Sequence, residues 1–251
     1  MQVTILGVTF HVSDQDANFW QHVNNDEWEA STYRAIASQV TPQTVFLDFG
    51  AWIGPISLFA AARGARVYSF EPDPVAASKL RENVALNPDL SQRITIFEKA
   101  VWPVPGPLTF GARHAQGDSM SSIHHKTSDV TWQVDVITPQ EAAALVPEDA
   151  PLFLKIDIEG AEYDVIPQMG ELLTRSKLAA LVSFHPRFVA GGHPRWHKTI
   201  PLTKRILDCF RGFECYLVHK NTFRRMPFVE TLNNLGLAYM ETRLSYMFVK
   251  R

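Results

Sequence analysis

Asp48, Gly50 and Gly54 form the stretch D-x-G-x-x-x-G, and Glu71 follows about 20 residues past the first glycine. Glycines and an acid at that spacing suit a nucleoside ligand. A glycine lets the backbone come close to the ligand, and a carboxylate at the end of the next strand accepts hydrogen bonds from two ribose hydroxyls. The dinucleotide fingerprint is different, G-x-G-x-x-G with a helix N-terminus facing a pyrophosphate. Here Asp48 sets a negative charge beside the loop, which repels a pyrophosphate and suits a cationic ligand.

The sulfonium and amino groups of S-adenosylmethionine meet that requirement. For the turn to work, it must lie between a strand and a helix. The apolar run 44–49 ends at the turn, Pro55 opens a helix to about residue 63, and a second strand, 65–71, delivers Glu71. Asp73-Pro74 then caps a helix to residue 86, which Asn87-Pro88 ends, and a strand follows at 93–99. Strands are also expected at 107–110, 130–136, 152–157, 179–184, 213–218 and 243–250. Helices are expected after the capping box Thr138-Pro139-Gln140-Glu141, after Glu159-Gly160-Ala161-Glu162, at 201–211 and near 227–234. The alternation implies an α/β fold, Rossmann-like and doubly wound, with helices on both faces of a mostly parallel sheet. Short strands at 3–12 and a helix at 26–38, capped by Asn25 or Asp26, make a small N-terminal cap. The expected division is therefore a cap at 1–40 and a core domain at 41–251.

With 251 residues, 46% of them hydrophobic, the chain is long enough for one large core. A net charge of −2 leaves no electrostatic footprint for nucleic acid. No apolar run reaches the roughly 20 residues of a membrane span, and the N-terminus does not read as a signal peptide. Cys209 and Cys215 read as reduced residues of a cytoplasmic protein. His193 and His197 have i, i+4 spacing, but Gly191-Gly192 and Pro194 read as a loop, so no metal site is expected.

Several segments together resemble the FkbM family of methyltransferases. They are the D-x-G-A-x-x-G turn, F-E-P at 70–72, R-E-N-V-A-L-N at 81–87 and K-I-D-I-E-G-A-E at 155–162, with Trp28-Glu29 before them and Phe184-His185-Pro186 after. The resemblance spans roughly 26–186. It implies a seven-stranded sheet, S-adenosylmethionine as methyl donor, and a hydroxyl oxygen as the usual acceptor, on a sugar, glycan or secondary metabolite. It places Ala51, Trp52 and Pro72 at the cofactor with Asp48, Gly50, Gly54 and Glu71. Trp52 stands where the family commonly has Asn, and its indole either packs near the cofactor or fills space.

Asp157 and Glu159 flank the end of a buried strand and lie over the expected reaction centre. Methyl transfer needs an aligned acceptor, and a hydroxyl acceptor must also lose its proton, to Asp157, Glu159 or His185. Lys155 is expected to pair with a carboxylate. In the polar loop 111–129, which also holds His114, His124 and His125, Asp118 and Ser119 either reach the adenine or close over the site. Loop 185–198, with Arg187, Phe188, Arg195 and Trp196, suits a sugar ring or phosphate. Two rival classes remain. One is an NAD-dependent oxidoreductase, for which the third glycine is missing. The other is a non-catalytic protein of the same fold that assists another subunit.

Overall fold

The computed structural model describes residues 1–112, 115–118, 121–123, 129–189, 196–219, 221–227 and 244–250. The chain opens with a hairpin, β1 (Gln2–Ile5) and β2 (Val8–His11), and two helices, α1 (Ala17–Asn24) and α2 (Ala30–Gln39). The expected helix at 26–38 is thus shorter and preceded by another. Asp26 and Glu29 take φ of 59° and 47°, left-handed values that separate the two helices.

The alternating part follows as β3 (Val45–Phe49), α3 (Pro55–Ala62), β4 (Arg66–Phe70), α4 (Pro74–Ala85), α5 (Pro88–Ser91) and β5 (Ile94–Phe97). β6 (Lys99–Val101), β7 (Leu108–Gly111) and β8 (Thr131–Ile137) come next, then α6 (Pro139–Ala144), β9 (Leu152–Ile156), α7 (Glu162–Val165) and α8 (Gly170–Thr174). The remaining elements are β10 (Leu178–Phe184), α9 (Pro186–Val189), α10 (Trp196–Cys209), β11 (Glu214–His219), β12 (Thr222–Met226) and β13 (Leu244–Val249). Local chemistry sets the helix starts. Asp73 accepts the Val75 and Ala76 N–H groups at 2.8 and 3.1 Å ahead of Pro74, and Thr138 with Glu141 forms a capping box.

The main sheet departs from the seven mostly parallel strands expected. Among the described residues it has eight, in the order β12-β11-β13-β10-β9-β3-β4-β5. The run from β10 to β5 pairs in parallel, whereas β10 with β13, β13 with β11 and β11 with β12 are antiparallel. The additional strand, β12, follows from a tight hairpin with β11. The expected strands near 107–110 and 130–136 do not enter this sheet. With β6 they form a separate three-stranded sheet in which β8 lies between β6 and β7. The helix expected near 227–234 lies outside the described residues.

Strands β3, β9 and β10 are buried at every position, as parallel strands covered on both faces must be. One apolar cluster lies on each face. Phe46 and Phe153 stack at 4.9 Å in the cluster that also takes in the N-terminal hairpin and helices. Phe49, Phe70 and Phe97 belong to the other. The C-terminal ends of β3, β4 and β9 are thereby held in register, and ligands of open α/β sheets bind at such ends.

Candidate active site

The turn after β3 is tight for a physical reason. Gly50 has φ of 82°, and its N–H and that of Ala51 both donate to the Phe70 carbonyl at 3.0 and 3.1 Å. A Cβ on Gly50 would lie 1.9 Å from the Asp157 carbonyl oxygen. Only glycine therefore brings this turn against the end of β9. Gly54 plays a different part. It borders neither of the cavities described below and packs under Leu80, whose Cδ1 a Cβ would meet at 2.5 Å.

Glu71 leaves β4 at the crevice and is nearly buried. Its Oε2 accepts the Trp52 N–H at 2.7 Å and its Oε1 the Asp73 N–H at 2.8 Å. Burial pushes its pKa up to about 7, against the pull of those two N–H groups. Each oxygen retains a lone pair for a ligand hydroxyl.

Glu71 opens on a cavity bordered by Gly50, Pro72, Asp118, Asp157 and Glu159. Phe70, Val101, Phe110 and Ile123 line it with apolar surface, a shape suited to a purine beside a polar ribose. Asp118 ends the described segment 115–118, a strap tied down at Gly117. Gly117 donates to Asp73 Oδ2 at 2.7 Å, and Trp52 Nε1 donates to the Gly117 carbonyl at 3.0 Å. Trp52 therefore has a structural partner as well as a place at the cavity wall, and its φ of 49° is strained for a tryptophan. Ser119, His114, His124, His125, His193 and Arg195 lie outside the described residues.

A second cavity shares Gly50, Trp52, Asp157 and Glu159 with the first. Ala51 and Lys155 also border it, and Phe19, Trp28 and Trp52 form its aromatic side. Phe19 meets Trp28 and Trp52 edge-on at 5.1 and 4.7 Å. The two cavities are halves of one crevice that meet at Asp157 and Glu159.

Asp48, expected at the cofactor, lies behind the crevice wall. Strand alternation puts it on the α3 face of β3, where it is fully buried and borders neither cavity. Its Oδ2 accepts the Ser57 hydroxyl at 2.6 Å, and Ser57 also bonds Ser69 at 2.7 Å. Burial raises its pKa, opposed chiefly by Lys155. That lysine, its cross-strand neighbour, places Nζ 3.4 Å from Asp48 Oδ1 and 3.7 Å from Asp157 Oδ2, and donates to the Gly50 carbonyl at 3.0 Å. Asp48 thus acts on the turn through Lys155.

The other charged group gathers around His185 at the end of β10. Its Nε2 lies 3.5 Å from Asp157 Oδ1 and 3.6 Å from Glu159 Oε2. Its Nδ1 lies 3.2 Å from Oε1 of Glu162, which also accepts the His185 backbone N–H at 2.6 Å. Burial lowers the histidine pKa, but Glu159, Glu162 and Asp157 outweigh it and push it up to about 9. Glu159 has φ of 50°, and Ser122 holds its carbonyl at 2.7 Å. Glu162, fully buried, was legible only as a helix start; its place in the I-E-G-A-E segment was the available signal. Phe19, Trp102 and Phe110 also border the crevice, and their sequence contexts carry no sign of it.

A large mixed sheet with a crevice at its parallel strand ends defines an α/β protein of the doubly wound kind. Residues 47–215 match the Methyltransferase FkbM domain. The chain belongs to the FkbM methyltransferase family. Among solved structures it is similar to a precorrin-6y C5,15-methyltransferase from Geobacter metallireducens GS-15, at 11% identity, covering 96% of this chain and 94% of that one, with a TM-score of 0.46. It is also similar to a methyltransferase FkbM from Methylobacillus flagellatus KT, at 14% identity, covering 94% and 61%, with a TM-score of 0.46. A third is a SAM-dependent methyltransferase from Agrobacterium tumefaciens, at 16% identity, covering 100% and 70%, with a TM-score of 0.46. No curated protein matches the chain. No helix among the described residues is long and apolar enough to cross a membrane.

Proposed function

We propose that this protein transfers a methyl group from S-adenosylmethionine to a hydroxyl oxygen of a small molecule, a sugar, glycan or secondary metabolite, in the cytoplasm. One observation carries the reading: the two halves of the crevice meet at Asp157 and Glu159, beside the glycine turn. The residues fit the donor. Gly50 and Glu71 border one cavity, and each Glu71 oxygen keeps a lone pair for a ribose hydroxyl. When bound, S-adenosylmethionine supplies an activated methyl group on a sulfonium.

The chain's own work is then alignment and charge control. Glu71 takes the ribose hydroxyls, Pro72 and the apolar wall take the base, and Asp118 closes from the strap. Trp28 and Phe19 shape the acceptor side. With carboxylates at both nitrogens and a pKa pushed up to about 9, His185 holds its proton at neutral pH. The acceptor's proton therefore goes to Asp157 or Glu159, and His185 holds those carboxylates in place. Isothermal titration with S-adenosylmethionine, S-adenosylhomocysteine and NAD tests the reading. Micromolar binding of the first two, with none for NAD, supports it; binding of NAD alone sinks it. Methyl-labelled donor and a panel of hydroxylated metabolites then test the acceptor class.

A further inference from the structure

We infer that Asp157, Glu159 and His185 form a binding site for a divalent cation of the Mn²⁺ type, set at the floor of the crevice. One donor atom from each residue lies within 4.8 Å of the other two. The His185 Nε2 separations of 3.5 and 3.6 Å are longer than a well-formed hydrogen bond. They match donors that share one ion: a triangle with these two edges and a third no longer than 4.8 Å surrounds a point at most about 2.4 Å from each corner, close to the bond lengths of oxygen-ligated divalent cations.

The support behind the histidine is that of a metal ligand. A ligating imidazole turns its other nitrogen to a carboxylate that fixes the ring. Here that carboxylate is the fully buried Glu162, which holds both Nδ1 and the backbone N–H of His185. Asp157 and Glu159 are only partly buried and border both cavities, so further coordination positions face open space. One imidazole with two carboxylates, and room for water or ligand oxygens, suits a hard to borderline cation with octahedral habits. Lys155 sits 3.7 Å from Asp157 Oδ2, on the side away from His185's partner oxygen Oδ1, and sets an upper limit on the charge the site takes. His185 binds the ion as the neutral imidazole, through Nε2.

The role of the ion rests on the methyltransferase reading: it would orient an acceptor through its hydroxyl and a neighbouring oxygen, which narrows the substrate class to vicinal oxygen pairs. Its binding does not rest on that reading. The test is titration of the full chain with Mn²⁺, followed by the electron paramagnetic resonance of free Mn²⁺, with S-adenosylhomocysteine affinity measured in parallel. One ion per chain at micromolar levels is expected. Asp157→Asn and Glu159→Gln each weaken it at least tenfold, Glu162→Gln weakens it about tenfold through His185, and the exposed Glu171→Gln leaves it unchanged. An unchanged circular-dichroism spectrum and urea midpoint in the two half-buried variants show that they fold. No stoichiometric binding below 1 mM (about the limit of a physiological site), or binding indifferent to both Asp157→Asn and Glu159→Gln, overturns the proposal. Mn²⁺ binding without nucleoside binding keeps the metal site and removes the methyltransferase reading.

Discussion

Gly50→Ala tests the central geometric claim, that the glycine turn touches the strand carrying Asp157. Gly7 provides a matched control. Its φ is 81° against 82° for Gly50, and a Cβ there meets nothing within 4 Å. Gly7→Ala therefore pays only for a left-handed alanine, about 1–2 kcal/mol. At Gly50 the same cost applies, and the new Cβ lies 1.9 Å from the Asp157 carbonyl, where real contacts do not fall below 3.0 Å. One side must retreat by about 1.1 Å. Asp157 is held by its N–H bond to the Phe49 carbonyl at 3.1 Å, and Gly50 by Lys155 and Phe70. Breaking one such buried bond and shifting packed backbone brings the total to about 4–5 kcal/mol, in the exceptional range for one substitution. Urea unfolding of both variants reads the difference, expected at about 3 kcal/mol. Nucleoside affinity of Gly50→Ala should fall at least tenfold, since a shift of about 1 Å at a site is costly. A difference between the two variants under about 1 kcal/mol, with unchanged affinity, would refute the contact.

Glu71→Ala removes the ribose acceptor and should weaken S-adenosylhomocysteine about 100-fold by calorimetry, near 2.7 kcal/mol; a loss under threefold removes Glu71 from the site. Lys155→Met leaves Asp48 buried against no cation and should cost about 3–5 kcal/mol in urea unfolding, whereas a neutral result would show that the ion pair does not hold the turn. Trp52→Phe keeps a ring against Phe19 but deletes the N–H bond to Gly117, so hydrogen exchange at 115–118 should quicken in line with about 1 kcal/mol of lost protection. His185 has its pKa raised from 6.5 to about 9 in the folded state. Its stabilisation is full below pH 6.5 and is lost as pH rises through 9, about 3 kcal/mol in all. Urea midpoints should therefore fall between pH 6.5 and 9 and flatten in His185→Gln; a flat wild-type profile over that window contradicts the three-carboxylate arrangement.

Much of the crevice was legible because its determinants are local. The D-x-G turn, the Glu71 spacing and the Asp73-Pro74 cap each sit within a few residues, and the strand ends they mark are where the sheet puts them. What was not legible depends on distant contacts. Asp48 reads as a cofactor acid until the side alternation of β3 turns it toward Ser57. Glu162 meets His185 across 23 positions, a pairing no local pattern announces. Phe19 is an isolated aromatic until α1, itself unmarked by a strong cap, brings it to Trp52. The extra strand Thr-Phe-Arg-Arg-Met lacks the apolar alternation of a core strand, and it forms because β11 offers an open edge.

The position of β13 governs the order in which the molecule can be completed during synthesis. Its residues, 244–249, come last among the strands, yet they lie between β10 and β11 and pair with both. After residue 184 leaves the ribosome, about 65 more must follow before β10 meets its second neighbour, roughly 3–13 s at ordinary translation rates. During that interval a strand buried at every position in the finished protein presents an open edge, the most adhesive surface a nascent chain can have. The crevice-bearing half is made first and waits for the tail to seal it.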